Sequence, residues 1–152
     1  MLDIYVDGDA CPVKDEVYRL ALRHALKVFV VTHGNVRVPS KGRVERVRVK
    51  PGLDAADDWI AEHAGAGDIV VTADIPLAGR CLKRGARVIA PYGQTFTEAS
   101  IGDALASRDL LEHLRQMGEV TGGPPPFSAS DRSRFLSRLG EAIVAARGAG
   151  GA

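Results

Sequence analysis

Short apolar runs alternate with amphipathic segments through the first ninety residues. Four runs predict buried strands at residues 2–6, 28–32, 68–72 and 86–90, and a more exposed strand is predicted among charges at 44–49. Helical spacing of apolar positions predicts helices over 13–26, 54–64 and 76–84. Near-continuous apolar strands belong to parallel sheets covered on both faces. The pattern therefore predicts an α/β fold with three layers, α/β/α, and a mostly parallel five-stranded sheet in the order 3-2-1-4-5.

The pattern changes after Pro91. Residues 97–117 have helical spacing, in two pieces, and the Gly-Gly-Pro-Pro-Pro run at 122–126 predicts a stiff connection. Ser128 to Asp131 resembles a capped helix start, which predicts a last helix to about residue 147. Because no linker or repeat interrupts the chain, residues 1–147 are predicted to form one domain that includes these C-terminal helices. Residues 148–152 are predicted to be a flexible tail.

Composition narrows the class of protein. With 152 residues, 45% of them hydrophobic and 26% charged, the chain has the balance of a globular domain with a sizeable core. The net charge of +1 means that a nucleic acid would need a local basic patch. No apolar stretch reaches membrane-spanning length and no signal pattern is visible, so a cytoplasmic protein without a membrane partner is expected. Cys11 and Cys81 lack zinc-ligand spacing, and Cys11 is expected to be a buried structural thiol.

The first predicted strand ends on two aspartates, Asp7 and Asp9, and a helix pattern follows at once. In a parallel α/β sheet, ligands bind at the carboxyl ends of the strands. Two carboxylates in one pocket repel each other unless a cation lies between them, and oxygen ligands suit Mg²⁺ or Mn²⁺. The alternative is a strand-to-helix turn in which Asp9 caps helix amides.

Further acidic residues stand near the fourth predicted strand. Asp54 and Asp57 begin the helix before it, in an arrangement resembling a capping box, and Asp74 follows it. Each could be a helix cap alone. In the predicted sheet order, however, the first and fourth strands are neighbours, which brings these strand ends and the helix start to one edge. Asp54 is expected to act mainly as a cap, and Asp58 to be solvated or just outside the ligand set. The predicted metal ligands are Asp7, Asp9, Asp57 and Asp74.

Three sequence blocks carry a family resemblance: IYVDGDACPVK at 4–14, DAADDWI at 54–60 and GDIVVTADIPLA at 67–78. A later block, with GGP at 122–124 and FS at 127–128 followed by DR at 131–132, is similar as well. These blocks resemble the YaiI/YqxD family, whose fold is similar to that of PIN domains, mostly Mg²⁺- or Mn²⁺-dependent ribonucleases. The resemblance implies a PIN-like site in which Asp7, Asp57 and Asp74 are the catalytic acidic positions and Asp9 is an extra ligand. It also implies hydrolysis of RNA phosphodiester bonds.

A basic stretch offers a surface for RNA. Between residues 37 and 50 six cations stand against one acid, Glu45. Arg46, Arg48 and Lys50 are expected on one face of the third predicted strand, where they could neutralise phosphates. Lys14 is a further candidate phosphate contact. The alternatives are an edge strand charged against aggregation and a solvated helix lysine.

Two other functions fit parts of the sequence. Asp7-Gly8-Asp9 after an apolar strand also resembles the first motif of haloacid-dehalogenase-type phosphatases, with Asp7 as nucleophile and Thr32 in the second motif. Against this alternative, no lysine stands clearly at the third motif and the chain has no room for a cap domain. The other alternative is a non-catalytic module that binds RNA or a protein. A homo-oligomer is compatible with the sequence, which leaves the oligomeric state open.

Overall fold

The computed structural model describes residues 2–9, 11–52, 54–102 and 127–150. Its elements, in chain order, are β1 Asp3–Asp7, α1 Lys14–His24, β2 Lys27–Thr32, β3 Arg43–Arg48, α2 Ala55–His63, β4 Ile69–Val71, α3 Ile75–Lys83, β5 Arg87–Ile89, β6 Thr95–Phe96 and α4 Ala129–Gly150. Residues 98–102 are also helical, at the start of the helical stretch predicted from 97. The rest of that stretch, 103–117, and the predicted connection at 122–126 lie outside the described residues.

The strands form one six-stranded sheet in the order β3-β2-β1-β4-β5-β6. β1 through β5 are parallel, with β1 between β2 and β4, which confirms the predicted order and the edge position of β3. The prediction of five strands was wrong in number, because β6 pairs antiparallel with β5. Gly93 turns the chain between them with a φ of 91°. A strand of only two residues is too short to show any alternation of apolar and polar positions.

Helices cover both faces of the sheet, as predicted for a three-layer α/β/α fold. On one face, α1 and α4 pack against strand residues that include Ile4, Val6 and Val28. On the other face, α2 and α3 pack against Tyr5 and the opposite side chains of β2 and β4. Both layers meet the sheet through near-continuous apolar strands. In the described ranges, no helix is both long enough and apolar enough to cross a membrane.

The last helix begins as predicted and joins the segment that follows β1. Ser128 Oγ accepts the N–H of Asp131 at 3.2 Å, and Asp131 Oδ2 accepts the N–H of Ser128 at 3.0 Å, which is a reciprocal cap. The helix continues to Gly150, past the predicted end at residue 147. The Arg132 guanidinium donates to the Pro12 carbonyl at 3.2 Å and to Glu16 Oε1 at 2.8 Å. α4 therefore braces the turn that leads from β1 into α1.

The cysteines are free and buried, as predicted for Cys11. Burial raises the pKa of the Cys11 thiol and that of the Cys81 thiol to about 11. Both side chains are therefore neutral at physiological pH, and a thiolate nucleophile at Cys11 is disfavoured.

Candidate metal centre

A small cavity of about 150 Å³ opens at the carboxyl edge of the sheet, between the end of β1 and the start of α2. Its described lining includes Asp7, Asp9 and Asp57, so the structure places these predicted ligands around one space. Asp74 is close enough for its negative charge to raise the pKa of both Asp7 and Asp57. The acidic residues singled out in the sequence therefore meet at one edge.

The turn after β1 lies close against β2. Gly8 donates its N–H to the Val31 carbonyl at 2.8 Å, and a Cβ at Gly8 would stand only 2.7 Å from Val30 Cγ1. The missing side chain is what permits this approach. Asp7 and Asp9, on either side of the glycine, are thereby held at the edge of the sheet.

Asp9 is tied to the end of β2. Its Oδ1 accepts the Thr32 hydroxyl, and its Oδ2 accepts the N–H of His33 at 3.2 Å. His33 Nε2 also lies 3.5 Å from Asp9 Oδ2. The suggestion that Asp9 caps the following helix was wrong, because the N-cap of α1 is Val13 and no side chain caps this helix. Asp9 thus lines the cavity with both oxygens already accepting hydrogen bonds.

The other carboxylates accept few hydrogen bonds from side chains. Asp7 Oδ2 accepts the Thr72 hydroxyl at 3.3 Å, and Asp74 Oδ1 accepts the N–H of Leu77 at 2.9 Å as the N-cap of α3. Among the described residues, none donates a hydrogen bond to Asp74 Oδ2 or to Asp57. Asp74 can therefore cap a helix with one oxygen and bind a ligand with the other. The helix-cap role and the ligand role that the sequence suggests for Asp74 are therefore compatible.

Asp54 differs from its predicted role as a helix cap. It occupies the N-cap position of α2 with a left-handed φ of 67°, and its side chain makes no capping hydrogen bond. It lines the cavity instead, together with His33. The sequence offered a signal for both cavity residues: Asp54 stands three residues before Asp57, and His33 follows the carboxyl end of a strand.

Asp58 is exposed, as predicted, and its Oδ1 accepts a hydrogen bond from Arg80 Nη1 at 2.8 Å.

The negative charges of the site repel one another. Burial raises the pKa of Asp7, with further increases from the charges of Asp9 and Asp74, while hydrogen bonds from Thr72 and from the Asp9 backbone lower it. Burial, followed by the charges of Asp74, Asp7 and Asp54, raises the pKa of Asp57 to about 6. A divalent cation would relieve this repulsion, and the donor set of carboxylate oxygens fits Mg²⁺ or Mn²⁺. Within the described ranges, no three His, Cys, Asp or Glu side chains stand close enough together to hold one ion.

The raised pKa of Asp57 predicts that the stability of the ion-free protein depends on pH. The folded state binds this proton more tightly than the unfolded chain, so the resulting stability is complete below the ordinary pKa of 3.8 and is lost as the pH rises through about 6. In urea unfolding between pH 4 and pH 7.5, Asp57→Asn should lose less stability across this window than the wild type. Asp58→Asn is the control and should follow the wild type. Identical pH profiles for Asp57→Asn and the wild type would contradict the prediction.

None of the predicted nucleic-acid contacts belongs to the described lining of the cavity. Lys14 Nζ donates to the carbonyls of Gly8 and Cys11 at 3.2 and 3.1 Å, so it braces the turn after β1. Arg46 and Arg48 are exposed on one face of β3. Lys50 lies beyond the end of β3. Only two of the three cations predicted to share one face of this strand are therefore within it.

Comparison with known proteins gives a consistent family. The family model described as "Uncharacterized BCR, YaiI/YqxD family" matches residues 5–145. A UPF0178 protein of Rhodopseudomonas palustris (strain BisB18) is 63% identical over 140 residues, which cover 92% of this chain and 90% of the relative. A UPF0178 protein of Azorhizobium caulinodans is 57% identical over 149 residues, covering 98% and 94%.

A UPF0178 protein of Nitrobacter winogradskyi is 61% identical over 140 residues, covering 92% of this chain and 89% of the relative. No solved structure matches the chain with significance. The range matched by the family model contains Asp74 and all the described residues that line the acidic cavity, including Asp7 and Asp57. The match confirms the resemblance carried by the sequence blocks: the chain belongs to the YaiI/YqxD family.

Proposed function

We propose that the protein is a divalent-metal-dependent nuclease that hydrolyses RNA phosphodiester bonds at the acidic cavity. The observation that carries the proposal is the approach of Asp7, Asp57 and Asp74 at one edge of the sheet, where burial and the charges of Asp74 and Asp7 raise the pKa of Asp57 to about 6. Carboxylates that repel one another in this way are suited to holding Mg²⁺ or Mn²⁺. The sequence blocks imply a PIN-like site, which agrees with this chemistry, and the proposal includes a PIN-like site.

Asp7, Asp57 and Asp74 would hold the ion, and Asp9 would orient the turn or add an oxygen. When bound, the ion would activate a water and neutralise charge on the scissile phosphate. The chain itself presents two of these carboxylates on fixed backbone: Asp7 at the end of β1 and Asp74 at the first turn of α3. Asp57 faces them from the first turn of α2. Metal, water and phosphate would therefore meet between three separate elements.

RNA is the proposed partner because the basic segment runs past the cavity. Val49 lies between Arg48 and Lys50, donates its N–H to the Thr32 carbonyl at 2.9 Å and lines the acidic cavity. An RNA strand that lies across Arg46 and Arg48 could therefore continue to the carboxylates. The cations would offset the repulsion between phosphates and the acidic site.

The direct test is cleavage of a mixed panel of RNA and DNA oligonucleotides by purified protein in Mg²⁺ or Mn²⁺. Cleavage of RNA that EDTA stops and added Mn²⁺ restores is the expected result. Metal binding with no cleavage of any substrate would instead support a non-catalytic binding module.

The phosphatase alternative has less support. Among the described residues that line the cavity there is no lysine, a group that this chemistry uses beside its nucleophilic aspartate. A phosphoryl group trapped on Asp7 after incubation with a phosphomonoester would overturn the nuclease proposal in favour of this alternative.

Substitution of the basic strand should change how RNA binding depends on salt. Arg46→Gln with Arg48→Gln removes two phosphate contacts, so the slope of log K against log [NaCl] should become shallower by about 1.4 for single-stranded RNA. Fluorescence anisotropy with Ca²⁺ in place of Mg²⁺ would measure it without turnover. Arg138→Gln, an exposed arginine of α4 that pairs with Glu141, is the control and should keep the wild-type slope. An unchanged slope in the double variant would place the RNA elsewhere.

A further inference from the structure

Two buried threonines occupy equivalent places on the strands that flank β1. Thr32 ends β2 and Thr72 follows β4, and their exposed fractions are 0% and 2%. Each hydroxyl oxygen accepts the backbone N–H of the residue two positions later. These distances are 2.9 Å from Gly34 N to Thr32 Oγ1 and 3.0 Å from Asp74 N to Thr72 Oγ1. The two strand ends are therefore closed by the same local turn.

The turn determines where each hydroxyl proton goes. A threonine hydroxyl has a single proton, and here its oxygen already accepts from the backbone, so the proton is free to donate to another group. Thr32 donates to Asp9 Oδ1, and Thr72 donates to Asp7 Oδ2 at 3.3 Å. The turn that carries both aspartates is consequently held from β2 on one side and from β4 on the other.

We propose that Thr32 and Thr72 are positioning residues of the metal centre, which fix the orientation of the Asp9 and Asp7 carboxylates before an ion binds. The inference rests on the proposed metal binding. A donor on Asp7 Oδ2 restricts rotation of the carboxylate. Thr72 also holds the amide of Asp74, so a single hydroxyl connects two of the proposed ligands. Partners of this kind behind metal ligands typically contribute about 10- to 100-fold to metal affinity.

The test compares Mn²⁺ affinity in Thr72→Val, Thr72→Ser and the wild type by isothermal titration calorimetry. Valine keeps the shape and removes the hydroxyl, so Mn²⁺ should bind about 10-fold more weakly, whereas serine should restore binding to near the wild-type value. Thr97→Val is the control, because Thr97 Oγ1 also accepts a backbone N–H, from Ser100 at 3.1 Å, but among the described residues Thr97 makes no hydrogen bond to a proposed ligand. It should leave Mn²⁺ affinity unchanged.

Thr32→Val provides a second route to the same test if Thr72→Val does not fold. It acts through Asp9 and should also weaken Mn²⁺ binding, with rescue by Thr32→Ser. Valine variants that bind Mn²⁺ as tightly as the wild type would overturn the positioning role while leaving the metal centre intact. A wild-type protein that binds no Mn²⁺ would overturn the proposed function itself, and the positioning role with it.

Discussion

Asp7→Asn should abolish metal-dependent cleavage of RNA while the protein stays folded. Asparagine keeps the size of the side chain and can still accept the Thr72 hydroxyl, but it removes a negative charge that the cation needs. Residues that hydrogen-bond to metal ligands typically contribute about 10- to 100-fold to metal affinity or activity. Loss of a proposed ligand itself should therefore reduce the cleavage rate by more than about 100-fold. In the absence of metal, the variant should be at least as stable as the wild type at pH 7, because burial and the neighbouring aspartates raise the pKa of Asp7.

Asp58→Asn is the matched control for this experiment. Asp58 stands next to Asp57 in sequence, but it is exposed and its carboxylate pairs with Arg80 at 2.8 Å. The control should therefore cleave RNA at the wild-type rate in the same preparation and buffer. Cleavage that survives in Asp7→Asn, with the same dependence on Mg²⁺ or Mn²⁺, would show that the acidic cavity is not the active site.

Arg132→Ala should be among the most destabilising changes of a partly exposed side chain. Arg132 donates to Glu16 Oε1 at 2.8 Å, and the Glu16 side chain is only 7% exposed. Removal of the guanidinium leaves a buried carboxylate without its partner, and the Pro12 carbonyl loses a donor as well. We expect a loss of about 3 kcal/mol in the free energy of unfolding, measured by urea denaturation at pH 7.

Two further variants separate this buried pair from an ordinary surface pair. Arg138→Ala breaks the contact with Glu141 on the same helix, at 3.1 Å, where both side chains are largely exposed. It should change stability by less than about 0.5 kcal/mol. Combining Arg132→Ala with Glu16→Gln should recover part of the loss, because the unpaired charge is removed. Equal effects of Arg132→Ala and Arg138→Ala would show that burial of Glu16 does not matter.

The arrangement of the sheet and its acidic edge could be predicted from sequence because both depend on local patterns. Continuous apolar runs marked the parallel strands, and the alternation of strands with helices favoured the simple order in which β1 lies between β2 and β4. Once that order is known, Asp7 and Asp74 must lie at neighbouring strand ends. The start of α2 reaches the same edge, which brings in Asp57.

The tertiary structure decided which atoms of these residues are available. Both oxygens of Asp9 accept hydrogen bonds from the end of β2, and the Asp54 carboxylate lines the cavity instead of capping α2. The sheet also gains β6 beyond β5. The tertiary structure also pairs Arg132 with Glu16 across 116 residues. Such contacts depend on side-chain direction and on pairing between distant segments. Periodicity of the sequence records which face of an element is apolar, but it carries no information about where a single hydroxyl, carboxylate or guanidinium will point.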